Sequence, residues 1–280
     1  MGSLIPDVKI KEIEAKGIIT ETNLPGADFV VNPYTGCQHG CIYCYAEFMK
    51  KYTGHDERWG DFVDIKINAP DLIKVNGKFK GKIIFFSSVT DPYQPVEAKY
   101  CLTRKILEKL VEKQPKISLL TKSALVTRDI DIFKKFKEID IGVSISTLDE
   151  KLSRQLEPFA SPPKLRMESI KKLKASGLKT WIFISPIFPY ITEIEEIIKE
   201  VAPNADYFMF ENLNLRAHNR NRVYDFIWKN RPDLLPAYKN IYENKDNKYW
   251  DDLRLFIIDT CRKYKKDYQI CFHHGGFSKN

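Results

Sequence analysis

A chain of 280 residues that is 43% hydrophobic is long enough for one large α/β domain with a buried core, and none of its apolar runs approaches the length that spans a bilayer. The N-terminus, Met1-Gly-Ser-Leu-Ile-Pro6, lacks a secretory pattern, and Pro6 stands where a myristoylated Gly2 requires Ser or Thr, so a soluble cytoplasmic protein with no membrane partner is the expectation. A net charge of +8 and a pI near 9.0 favour anionic partners such as nucleic acid, with a solvated lysine-rich surface as the alternative. Short β-branched runs alternate with amphipathic helical ones, which predicts a parallel α/β architecture. Residues 1–28 read as an N-terminal extension. Within 29–212 the predicted strands are Phe29–Asn32, Lys82–Ser88, Lys116–Thr121, Ile139–Ser146, Leu178–Ser185 and Asp206–Phe210. Predicted helices fall between them at Cys41–Tyr52, Leu102–Lys113, Asp129–Lys137, Pro163–Ser176 (stopped by Gly177) and Ile191–Val201. After Asn212 the alternation breaks, and residues 213–280 read as a helical extension that reaches about Tyr264, with Tyr268–Phe272 as a candidate last strand.

Three cysteines share the loop after the first predicted strand: Asn32-Pro-Tyr-Thr-Gly-Cys37-Gln-His-Gly-Cys41-Ile-Tyr-Cys44-Tyr-Ala46. Thiolates so close together can hold three corners of a cubane iron–sulfur cluster and leave one iron open for chemistry. A zinc knuckle completed by His39 is the alternative. Structural zinc sites usually carry a second ligand pair, however, and Cys101, Cys261 and Cys271 are isolated. Disulfides do not suit an intracellular chain.

The spacing C-x3-C-x2-C resembles that of the radical S-adenosylmethionine (SAM) superfamily. Four further segments extend the likeness: Phe85-Phe-Ser-Ser-Val-Thr-Asp-Pro-Tyr-Gln-Pro-Val-Glu97, Leu119-Leu-Thr-Lys-Ser123, Val143-Ser-Ile-Ser-Thr147 and Ile184-Ser-Pro-Ile-Phe-Pro189. Together with Asn32–Ala46 they resemble the spore photoproduct lyase-like group, over roughly Asn32 to Pro189. The resemblance implies a partial (β/α)6 TIM-type barrel, with the reactive site at the carboxyl ends of the strands. It implies a 4Fe-4S cluster on Cys37, Cys41 and Cys44, the catalytic centre, with SAM on the open iron. A flavodoxin- or ferredoxin-type donor would reduce the cluster, and SAM cleavage would yield a 5′-deoxyadenosyl radical that takes hydrogen from a substrate.

For SAM itself, the resemblance places Tyr43 near the adenine and Ser87 and Ser88 near the amine. Lys122 suits the carboxylate, and Ser144 and Ser146 alternate on one strand face with Ser146 within reach of the ribose. Asp91, Tyr93 and Gln94, on a segment stiffened by prolines, are substrate-side candidates. So is Arg216, in the run Arg216-Ala-His-Asn-Arg-Asn-Arg222, because guanidinium forks suit phosphate. Glu157 and Arg166 read as a structural ion pair. One departure stands out: the lyase carries a hydrogen-donor cysteine after the second strand, whereas this chain has Ser87-Ser88. Cys101 falls inside a helical pattern; Cys271 is a candidate replacement, though a buried structural cysteine is the commoner case. Tyr34, Tyr45 and Tyr93 are alternative relays. DNA or RNA is the first expected substrate, a peptide or small metabolite the second. A non-enzymatic cluster or zinc protein that binds nucleic acid is the third.

Overall fold

The computed structural model describes residues 8–73, 79 and 81–272; the leader reading of residues 1–6 and the histidine-glycine run at 273–276 lie outside these. In chain order the strands are β1 Lys9–Ile13, β2 Ile19–Glu21, β3 Phe29–Val31, β4 Tyr34–Thr35, β5 Phe62–Lys66, β6 Ile83–Phe86, β7 Lys116–Thr121, β8 Ile139–Ser144, β9 Lys179–Ile187, β10 Tyr207–Asn212 and β11 Asp267–Ile270. The α-helices are α1 Glu97–Tyr100, α2 Leu102–Val111, α3 Ile130–Phe133, α4 Glu150–Leu156, α5 Pro163–Ala175, α6 Ile194–Val201, α7 Arg220–Asn230, α8 Leu235–Tyr242 and α9 Lys248–Lys263.

One eight-stranded sheet runs β11-β10-β9-β8-β7-β6-β3-β2, parallel throughout except for the antiparallel edge strand β2. The order is that of an open, partial barrel. Alternation along the strands explains its two faces. In β7, Ile117 and Leu119 point outward under the helices and are buried at 2% and 0% exposure, while Ser118 and Leu120 point inward. Helix α6 closes over the outer face with Ile194, Ile197, Ile198 and Val201, all within 3% exposure. Each such side chain contributes about 1.5–3 kcal/mol of burial. Among the described residues, no helix is long and apolar enough to cross a membrane.

The described part of the extension, residues 8–28, is woven into the fold. Strand β2 pairs with β3, and β1 joins β5 and β4 in a three-stranded side sheet. Strand β1, Lys-Ile-Lys-Glu-Ile, is largely exposed, so it carries little of the apolar signal that marks a strand. The predicted helix over Cys41–Tyr52 is absent: only Tyr45–Tyr52 coils, as a 3-10 helix. Ahead of it the Ile42 N–H donates to Leu156 O and the Gln38 N–H to the Gln94 side chain, so residues up to Cys44 stay a loop tied by tertiary contacts. Gly36 and Gly40, at φ 88° and 62°, turn that loop before Cys41. The predicted helix at Asp129–Lys137 shrinks to α3. Helix α4, capped by the Asp149 carboxylate on the Lys151 and Leu152 amides, was not foreseen.

Candidate active site

Inside the barrel lies a cavity of about 890 Å³. Cys37, Cys41 and Cys44, none of them in a disulfide, border it beside Tyr43, Ser87, Ser88, Asp91 and Lys122. Burial pushes all three thiols up, Cys41 to about 12, and the negative charge of neighbours adds to this at Cys37 and Cys41. Such a set holds thiolates only with cations among them. N–H donors already face two sulfurs: the His39 amide at Cys37, and at Cys44 the Ala46 amide and the Trp59 indole, 3.2 Å away. Each thiolate of a cubane binds its own iron, so the three need only face one space, as they do. A single zinc would need ligands converging on a point, and no three His, Cys, Asp or Glu side chains do so among the described residues. His39 is committed elsewhere, with Nδ1 3.5 Å from Asp91.

The loop that presents the cysteines is braced from four sides. Gln94 donates to Gly36 O and Thr90 Oγ1. Asn32 ties the end of β6 by accepting from the Ser88 and Val89 amides at 3.0 and 3.2 Å. From the C-terminal extension, Asn219 donates to Tyr43 O and Arg222 to Ile42 O and Glu47. Added bulk is excluded: a Cβ on Gly36 would stand 2.4 Å from Phe62 O.

Lys122 is the cation of the site. Its backbone amide is fixed by Asp91 at 2.8 Å, and its ammonium lies 5.8 Å from the Tyr43 ring centroid. Burial alone would lower its pKa, but Glu157 and Cys41 outweigh this and hold it above its ordinary value. That ammonium donates to no protein atom among the described residues. Behind it, Glu157 accepts from Tyr43 OH, from Arg166 Nη2 and from Ser146 Oγ. Arg166 also donates to Ser144 O at 3.0 Å and to Ser161 O. The pair is structural as read, and it forms the wall behind Tyr43 and Lys122.

Several sequence candidates are placed away from the cavity. Tyr93 is fully buried with its hydroxyl on Asp129, and fully buried Gln94 serves the cysteine loop. Asp91 borders the cavity, but its oxygens serve Thr121 Oγ1, the Tyr93 amide and the Lys122 amide, which makes it a positioning residue. Ser144 donates to Ser185 O, and neither Ser144 nor Ser146 reaches the cavity wall. Arg216 is half-buried in the turn that Asn219 closes. Cys101 sits in a left-handed turn between α1 and α2, outside the cavity. Cys271 does border the cavity, just past β11, and burial and Glu211 push its thiol up to about 11. Trp59, Asn219 and Arg222 were missed as site residues. Nothing local in the sequence links Trp59 to Cys44, and the Arg-rich run signalled phosphate contacts, not a brace.

The family model of the radical SAM superfamily matches residues 31–201, and the chain belongs to that superfamily. An uncharacterised protein of Methanocaldococcus jannaschii is 41% identical over 276 residues, covering 98% of this chain and all of that one. Spore photoproduct lyase of Clostridium acetobutylicum is 25% identical over 192 residues, 65% of this chain and 54% of the lyase. In fold, a spore photoproduct lyase solved with dinucleoside spore photoproduct superposes with a TM-score of 0.72, over 94% of this chain and 82% of that one, at 15% identity. The protein is thus a radical SAM enzyme that uses a 4Fe-4S cluster and SAM.

Proposed function

We propose that this enzyme abstracts hydrogen from a nucleic acid or nucleotide. Bound together, the cluster and SAM supply a one-electron cleavage that releases a 5′-deoxyadenosyl radical for that abstraction. The three thiolates of Cys37, Cys41 and Cys44 take three corners of the cluster. Lys122 would take the SAM carboxylate, Ser87 and Ser88 the amine, and Tyr43 the adenine, all four side chains bordering the cavity beside the thiols. The cavity keeps bulk water from the reacting atoms. The observation that carries this reading is the Lys122 ammonium, held charged, without a protein acceptor, on the same cavity as the three thiols. The Ser146 hydroxyl, expected near the ribose, donates to Glu157 at 3.4 Å. Support for a nucleic-acid substrate comes from the charge of +8 and from the lyase relatives, one solved with a dinucleoside lesion. A base within a duplex would be flipped out to enter the barrel. Ser87-Ser88 in place of the lyase's cysteine favours a reaction other than that lyase's own relay, and it keeps a peptide or small metabolite as the second reading.

The test uses anaerobically reconstituted protein with SAM and a strong reductant. 5′-Deoxyadenosine is quantified with and without UV-irradiated thymine-rich DNA. Stimulation by DNA is the expected result. Cleavage that ignores every nucleic acid tried would move the substrate to the second reading.

A further inference from the structure

The 3-10 helix Tyr45–Tyr52 begins one residue after Cys44. In a 3-10 helix, side chains three apart eclipse one another. Tyr45, Phe48 and Lys51 therefore share one side, and all three are exposed, the two rings at 44% and 43%. The other sides are used internally: Ala46 and Met49 pack against Trp59 and Phe62, and Glu47 is neutralised by Arg222. Tyr52, 70% exposed, follows at the end of the helix, with Lys51 Nζ 4.8 Å from its ring centroid. Lys51 makes no ion pair among the described residues. The row starts at the cavity, since Tyr45 borders it and donates to Ser88 O.

We propose that this row is a stacking platform for unpaired bases of a single-stranded nucleic acid, leading the strand into the barrel. The inference rests on the nucleic-acid reading above and names where that substrate docks. Aromatic faces accept any base, and a neighbouring lysine neutralises phosphate. One 3-10 turn sets Tyr45 and Phe48 about 6 Å apart along the axis. That is nearly twice the roughly 3.4 Å base repeat of a duplex strand, so the row fits bases drawn apart.

The experiment measures anisotropy of a fluorescein-labelled single-stranded oligothymidylate with the full-length protein across a salt series. Phe48→Ala should weaken binding about tenfold, the scale of one lost base–aromatic stack. Lys51→Ala should lower the slope of log affinity on log salt by about one. Trp228→Ala, a more exposed aromatic on α7 (61%), should change neither. Both platform variants should keep the SAM cleavage seen without DNA. Wild-type binding that Phe48→Ala and Lys51→Ala leave intact would overturn the platform while sparing the nucleic-acid reading. If the same variants instead slow cluster reduction by a protein donor, but not by dithionite, the row is an electron-donor dock and the proposal is overturned. No binding of any oligonucleotide by the wild type would remove the platform and, from the reading beneath it, a nucleic-acid polymer as the substrate.

Discussion

At Lys122 two requirements meet in one side chain. It must stay charged against burial, and it must have no partner that a ligand would have to displace. The Glu157 carboxylate meets the first from behind the Tyr43 ring, and the open cavity meets the second. A charged hydrogen bond contributes about 1.5–3 kcal/mol, so Lys122→Met should raise the SAM Kd by roughly ten- to a hundredfold. Equilibrium dialysis of the reconstituted protein reads this, and an unchanged Kd would place the SAM carboxylate elsewhere. Glu157 is the counterpart. Burial pushes its carboxyl up, but Arg166 and Lys122 outweigh that and hold it below its ordinary 4.5. Its folded value is thus lower than its unfolded one. The stability it contributes is complete above about pH 4.5 and is lost as pH falls through the lowered value. Glu157→Gln leaves the Arg166 guanidinium buried without its charge partner, at a cost of about 3–5 kcal/mol in urea unfolding at neutral pH. The gap between variant and wild type should close in melts taken at progressively lower pH. A constant gap would mean that Glu157 is already protonated in the folded protein.

Scale up to the elements, and the site depends on how neighbouring strands fit each other. Strands β8 and β9 pair in register, Gly142 opposite Trp181. A Cβ on Gly142 would meet the indole at 2.3 Å, so the missing side chain is what lets the Trp181 ring lie over β8. That ring in turn stacks on Tyr207 of β10, 5.6 Å between centroids and nearly parallel, and the three strands are locked inside the barrel. Gly142→Ala should therefore destabilise the fold by about 1–3 kcal/mol through overpacking, read by thermal melting. Full rescue by Trp181→Phe is not expected, because it loses ring area along with the clash; no destabilisation at all would show that the ring can move freely. The same dependence governs the cysteine loop. Read as a loop in the sequence, it is held by amides that bond to Gln94 and Leu156, residues far along the chain.

Viewed as a whole, the open edge of the sheet matters as much as its centre. Strand β11 joins the barrel from the C-terminal extension, and it carries Cys271 to the cavity that the cluster cysteines border. If this thiol returns hydrogen to the substrate radical, Cys271→Ala should keep SAM cleavage and lower the ratio of product to 5′-deoxyadenosine. An unchanged ratio would assign Cys271 to packing. The amino-acid sequence by itself determined the class of chemistry. A cluster motif is local, three thiols within eight residues, so its spacing is legible without a fold. The barrel strands were legible too, because each carries β-branched and apolar residues toward the helix-covered face, which set it apart from the helical segments between. The side sheet was not, since β1 is exposed and polar. The roles of Gln94, Tyr93, Asn219 and Trp59 were decided only by the tertiary structure. Each acts on a partner remote or offset in the chain, and a hydrogen bond across such a gap leaves no periodicity behind. Long-range closure turned expected substrate contacts into braces. It also left the Lys122 ammonium beside the thiols on the cavity wall, its charge secured by Glu157 just past α4 and by Cys41 of the cysteine loop.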